Sequence, residues 1–161
     1  MDGPPRFLTL DDYEPVARAA LPDDVYNFVA GAAGDEWTHQ ENRRAFDRWI
    51  LRPRVLRGVG SADLGVRVLE TTLSMPVLVA PWAYQRAAHP DGEIATARAA
   101  AGAGTVMCVS TTAVDILEEI AAATDGPKWW QLYVFTDRVY TQEMLARVAG
   151  LGSERSCGRS I

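Results

Sequence analysis

"TVMCVSTTAVDILEEIAAATDGPKWWQLYV", residues 105–134, decides the fold class. "TVMCVS" is a short apolar run of the kind that forms a strand covered on both faces. "DILEEIAAATDGP", residues 115–127, reads as a helix, with Asp115 placed to cap it and Glu118 three positions on. "KWWQLYV", residues 128–134, is a second strand, with Gln131 inside it. A strand, a short helix and a strand in so few residues form a βαβ unit with parallel strands.

The pattern extends in both directions. Upstream, "VLVAP" at 77–81 is a third apolar run, followed by the helix "PDGEIATARAAAGAG" at 90–104. Pro90 stands near its first position and Glu93 in its first turn, Ile94, Ala97 and Ala101 share a face, and Gly102 and Gly104 stop it. Downstream, "DRVYTQEMLARVAGLG" at 137–152 is a helix with Val139, Met144, Leu145 and Val148 on one side. Right-handed crossovers bring the carboxyl ends of the strands to one face, where α/β folds bind ligands. "PWAYQRAAH", "STTAVD" and "YVFTD" therefore converge on one rim. Their aromatic and amide groups suit a flat ligand with polar edges.

Residues 8–50 read differently, as a polar helical segment. "LDDYEPVARAAL" and "PDDVYNFVAGAAG" are two short helices, the second opened by Pro22 and ended by Gly31 and Gly34. "DEWTHQENRRAFDRW" is a third, with Trp37, Ala45, Phe46 and Trp49 as its expected packing residues. Residues 51–76 form an irregular connector that contains short strands.

Composition bounds the function. The 161 residues amount to one domain, 48% hydrophobic and 23% charged, which is globular rather than disordered. A net charge of −5 and the lack of a Lys/Arg run argue against nucleic acid. No window is apolar enough for a membrane span, and "MDGPPRFLTLDDY" does not read as a secretory leader. Cys108 and Cys157 lie far apart without ligand-like neighbours, so free thiols in a reducing cytoplasm are expected, with no metal.

Four stretches carry a resemblance: "LPDDVYNFVAGAAGDEWTHQENRRAFDRW", "LRPRVLR", "SMPVLVAPWAYQRAAHPDGEIATARAAAGAGTVMCVST" and "WWQLYVFTDR". In this order and spacing the chain resembles the FMN-dependent α-hydroxy-acid oxidases and dehydrogenases, such as glycolate, lactate and hydroxymandelate oxidase. "AYQRAAHPDGE" looks closest to the hydroxymandelate branch and "AGAAGDEWT" to lactate oxidase. The resemblance implies a (β/α)8 barrel preceded by a helical segment, with residues 77–150 as its first three βα units. It also implies FMN at the carboxyl-end mouth of the barrel and a small 2-hydroxy acid as substrate. Homo-oligomeric assembly of the full-length enzyme is implied too.

Residue by residue, it places the backbone of Pro81, Trp82 and Ala83 along the flavin ring. Ser110 would bond to the flavin, Gln131 would reach its pyrimidine edge, and Tyr133 would face the substrate. Phe28 stands where many members carry a substrate-binding Tyr. Without the resemblance these residues have ordinary readings. Trp82, Trp129 and Trp130 could be core, Ser110 could satisfy a local backbone group, Gln131 could bond a neighbouring loop, and Tyr133 could be rim packing. Arg86 is evenly balanced, and His89 is a loop or cap residue.

The family's catalytic histidine, flavin-side lysine, carboxylate-binding arginines and phosphate loops belong to later βα units, so no catalytic residue is expected in these 161. Residues 151–161, "LGSERSCGRSI", do not continue the family pattern. One permissible codon choice for Gly152–Ile161, read in another frame, restores an apolar strand, so a frameshift is the expected origin of the tail. Inactivity alone is the expectation. A non-catalytic remnant, or an interaction module completed by a second chain, is the alternative. A self-contained flavodoxin-type sheet ranks last, because "PWAYQRAAHPDGE" lacks a Gly-rich phosphate loop.

Overall fold

Short helices without a common core open the chain. The structure, a computed structural model, describes residues 7–58 and 60–151. The chain divides into two units, Met1–Gly60 and Ser61–Ile161. In the first, a 3-10 turn at Leu10–Asp12 leads into α1 (Tyr13–Ala20), followed by α2 (Asp23–Ala30) and α3 (Trp37–Arg44). Pro22 precedes α2 as its N-cap instead of opening it. The expected packing residues Trp37, Phe46 and Trp49 are all exposed, and among the described residues no helix of this unit carries a buried one. Helices of eight residues offer one another too little apolar surface to enclose a core. The cross-links are polar: Arg43 Nη2 donates to Asp11 at 2.7 Å, and Tyr26 Oη to Glu14 at 2.9 Å.

The second unit begins with an antiparallel hairpin, β1 (Val66–Val68) and β2 (Thr71–Leu73), as the connector predicted. Its two turn residues, Leu69 and Glu70, both have positive φ, the geometry of a type I′ turn. The βα repeats follow: α4 (Gly92–Gly102), β3 (Met107–Val109), α5 (Leu117–Ala122), β4 (Lys128–Trp130) and α6 (Arg138–Gly150). Strands β3 and β4 are parallel, with Cys108 opposite Trp129. Val79 adds a parallel bridge to Met107 on the other side. Spatial order thus follows chain order: Val79, β3, β4.

The ladders are shorter than the apolar runs that predict them. Of residues 77–81 only Val79 joins, and Gln131 lies just past β4, although its N–H still donates to Val109 O at 2.8 Å. Side chains take over at the ends. The Thr105 hydroxyl bonds the Val77 carbonyl, and the Thr111 hydroxyl bonds the Gln131 carbonyl. A hydroxyl that satisfies a backbone group removes the need for a ladder partner there.

One core holds this unit together. Ala97 and Ala100 of α4, Leu117 and Ile120 of α5 and Val148 of α6 pack on Met107 and Val109, with Val79 and Trp130 against them. All three helices therefore lie on one face of the strands. Alternation turns Cys108 and Trp129 to the other face. A doubly wound sheet reverses its strand order and takes helices on both faces. The described residues do neither.

The apolar face of α6 differs from the expected one. Thr141, Met144, Val148 and Leu151 face inward, while Val139 and Leu145 are exposed. Asp137 caps the helix, its carboxylate accepting the N–H groups of Val139 and Tyr140. Helix α4 likewise begins at Gly92, two residues after Pro90. The predicted tail from Gly152 to Ile161, Cys157 included, lies outside the described residues.

Arg147 of α6 grips Glu118 of α5 through two bonds of 2.6 and 2.5 Å, and this contact holds the Glu118 carboxyl below the usual range. Both side chains are nearly half exposed. Arg147→Ala is expected to lower Tm by about 2 °C or less, with the difference shrinking in high salt. Thermal unfolding at two ionic strengths measures it.

Candidate functional site

Three chain segments leave the carboxyl ends of the strands side by side: Pro81–Ala83 after Val79, Ser110–Thr112 after β3, and Gln131–Tyr133 after β4. Thr111 ties the last two together. Its N–H donates to Gln131 Oε1 at 3.1 Å, its hydroxyl to the Gln131 carbonyl, and it accepts the Tyr133 N–H at 3.0 Å. Ser110 is buried, donates to Gln131 Oε1 at 3.5 Å and accepts the Thr112 N–H at 3.2 Å. The Tyr84 N–H donates to the Thr112 carbonyl at 3.4 Å, joining the first segment to the second.

Gln131 therefore meets its neighbouring loop with one end only. Its oxygen is committed, while among the described residues its Nε2 makes no hydrogen bond. Trp82 is 40% exposed and Tyr133 57% exposed, so both offer ring surface. The sequence-predicted residues Pro81, Trp82, Ala83, Ser110, Gln131 and Tyr133 thus share the rim of one unit. Phe28 lies on α2 of the other unit and is 62% exposed.

Beneath the rim lies a polar layer that sequence reasoning did not assign to the site. Glu93, in the first turn of α4, is 0% exposed. Its Oε1 accepts the N–H groups of Gln85 at 3.3 Å and Val114 at 3.1 Å, and its Oε2 accepts that of Asp115 at 3.4 Å. Asp115 answers by accepting the Ile94 N–H of α4 at 3.2 Å. It is not the cap of its own helix, as the sequence predicts, because α5 starts at Leu117 after an extended Ile116. Its carboxylate serves the first turn of the neighbouring helix instead, where free N–H groups need acceptors. Burial pushes the Asp115 carboxyl up, but the Arg86 guanidinium and the Ile94 N–H outweigh burial and hold it below the ordinary value. Arg86 is thereby spent on structure. His89 is a loop residue whose Nδ1 accepts the Asp91 N–H at 3.2 Å.

Gln85 links this layer to the rim. Its Oε1 accepts the Thr96 hydroxyl at 2.6 Å, and its Nε2 donates to the Trp82 carbonyl at 3.3 Å. The sequence does offer a hint for Thr111 and Thr112, since hydroxyl residues at a strand end favour local backbone bonds. For Glu93 it offers none beyond an acidic first turn.

Trp129 sits two residues before Gln131 on the face away from the helices, and its Nε1 is buried without a partner among the described residues. Buried polar groups ordinarily find one. Cys108 shares that face, and burial pushes its thiol up. The polar groups here are an uncommitted amide NH2, a buried hydroxyl with a lone pair left to accept and a lone indole N–H, next to exposed aromatic rings. These groups can hold and orient a planar heterocycle with apolar faces and polar edges.

Residues 17–156 match the family described as FMN-dependent dehydrogenase. Glycolate oxidase 1 of Zea mays is 46% identical over 141 residues, covering 88% of this chain and 38% of that protein. A soluble mutant of the membrane-associated (S)-mandelate dehydrogenase from Pseudomonas putida superposes with a TM-score of 0.86 at 35% identity, covering 91% of this chain and 42% of the other. A mandelate oxidase crystallised with 3,3-difluoro-2-hydroxy-3-phenylpropionic acid gives 0.85 at 37% identity, covering 92% and 44%. The chain spans about two fifths of the length of these relatives.

Proposed function

Because the chain belongs to the FMN-dependent dehydrogenase family, we propose that its rim is one wall of the FMN site of an enzyme that oxidises a 2-hydroxy acid to a 2-oxo acid. The wall belongs to the first three βα units of an eight-stranded barrel. FMN is the cofactor the family implies, and it supplies the electron acceptor for the oxidation. In this reading the backbone of Pro81, Trp82 and Ala83 lies along the flavin, Ser110 and the Gln131 amide bond its polar edge, and Tyr133 faces the substrate.

The observation that carries the reading is the Ser110–Thr111–Gln131 network. It fixes the Gln131 amide by its oxygen and leaves Nε2 to donate. A half-buried amide held this way is set up to meet a polar partner, since leaving its donors unmet would cost free energy.

The described residues offer FMN one wall only. The strand face that carries Trp129 and Cys108 has no helix over it among the described residues. We expect the isolated chain to bind FMN with a Kd of about 0.1 mM or weaker and to show no turnover. Gln131→Leu is expected to weaken that binding a further tenfold or so. Flavin fluorescence during titration measures both. An unchanged Kd in the variant removes Gln131 from the site, and a yellow purified chain that oxidises mandelate or lactate overturns the one-wall reading.

A further inference from the structure

We propose that Glu93 is a positioning residue for this wall, a buried carboxylate that fixes the spacing between the first and second rim segments. The inference rests on the flavin reading above for its purpose, though not for its geometry. Glu93 reaches both segments from below. Through Oε1 it holds the N–H of Gln85, two residues past the first segment, and the N–H of Val114, two residues past the second, and through Oε2 the Asp115 N–H. Gln85 passes the constraint upward by gripping the Trp82 carbonyl at 3.3 Å. The second segment returns it where the Tyr84 N–H meets the Thr112 carbonyl. The result is a closed circuit from Glu93 to Trp82 on one side and to the Ser110–Thr112 turn on the other.

Two features distinguish this from ordinary core filling. Glu93 accepts three backbone N–H groups, and all three belong to the loops that continue the rim segments rather than to β3 or β4. The interlock with Asp115 is also reciprocal: each carboxylate bonds the backbone of the element that carries the other. A carboxylate is an acceptor only, so its two oxygens can serve three converging donors. Glutamine would turn an NH2 group toward one or more of those N–H groups.

Amide hydrogen exchange by NMR on the 161-residue chain, as wild type, E93Q and E93D, tests the role. In E93Q the amides of Tyr84, Gln85, Val114 and Asp115 are expected to exchange at least about tenfold faster. The amides of Cys108 and Gln131, bonded across the sheet, keep wild-type rates. A folded E93Q with unchanged rim exchange overturns the proposal. Should E93Q fail to fold, E93D decides, since it keeps the charge and withdraws the carboxylate by one methylene. Faster exchange confined to the rim supports positioning, while unchanged rates, or loss spread evenly over rim and sheet, overturn it. FMN titration of the same proteins separates the two readings. Rim-only exchange in the variant supports the clamp whatever the chain's response to FMN, while an FMN Kd unchanged by Gln131→Leu refutes the flavin assignment alone. FMN binding about tenfold weaker in the variant supports both.

Discussion

Ile120→Ala is expected to destabilise the second unit by about 2–5 kcal/mol, a large fraction of the stability of a unit this size. Ile120 is 0% exposed and sits in the cluster formed by Ala97, Ala100, Met107, Val109, Leu117 and Val148. Helix α5 has only six residues, and Leu117 and Ile120 are its buried anchors. The α4 residues in that cluster are alanines, which have no spare length to fill the space. A cavity that cannot collapse falls at the costly end of the range for such truncations. Ile120→Val, which removes one methylene, should lose about 0.5–1.5 kcal/mol. Urea unfolding reads both as a lower midpoint at constant slope. A midpoint for the alanine variant within error of wild type would show that α5 is not docked as described.

Gly92→Ala comes second, with a loss of about 2–3 kcal/mol expected from strain and steric displacement together. Gly92 has φ of +48°, and an added Cβ would lie 2.7 Å from both Arg86 Cγ and Asp115 Oδ2. The methyl group must push apart the Arg86–Asp115 pair that joins the first and second rim segments. Gly34 supplies the control: its φ is +62° with nothing within 4 Å, so Gly34→Ala carries conformational strain alone, about 1 kcal/mol. Equal losses in the two variants would mean that the Arg86–Asp115 pair yields freely. The pair also makes acid a lever. The Asp115 carboxyl is held below its ordinary value, so its contribution is present above the unfolded pKa of about 3.9 and is lost as pH falls through the lower folded value.

The sequence showed the alternation of strands and helices and the face on which the site lies, because buried parallel strands are continuous apolar runs and crossovers have one hand. It did not show where the ladders stop. Val77 and Gln131 sit in apolar stretches, yet hydroxyls from Thr105 and Thr111 take their carbonyls, a competition between side chain and backbone that periodicity cannot register. Helix rotation was hidden for a similar reason. Val139 and Leu145 look like core in the sequence, but Thr141, whose hydroxyl bonds the Asp137 carbonyl and accepts the Phe135 N–H, takes the inward face beside the expected Met144 and Val148. Asp115 and Glu93 both matched helix-start signals and both turned out to serve neighbouring elements. Local spacing cannot distinguish a cap for its own helix from a strap to the next one. The residues assigned to the flavin were legible only through resemblance, since a Gln in an apolar run is equally at home bonding a loop.

The one-sided layering of the second unit has an evolutionary consequence. Folding free energy is stored where alanine, valine and isoleucine meet between helix and strand, while the strand ends carry the groups that would touch a ligand. Trp82 and Tyr133 can therefore drift under selection for a new specificity without drawing on the contacts that keep the polypeptide folded. Lineages that share this scaffold can diversify in what they recognise at one end while the layer behind it stays the same.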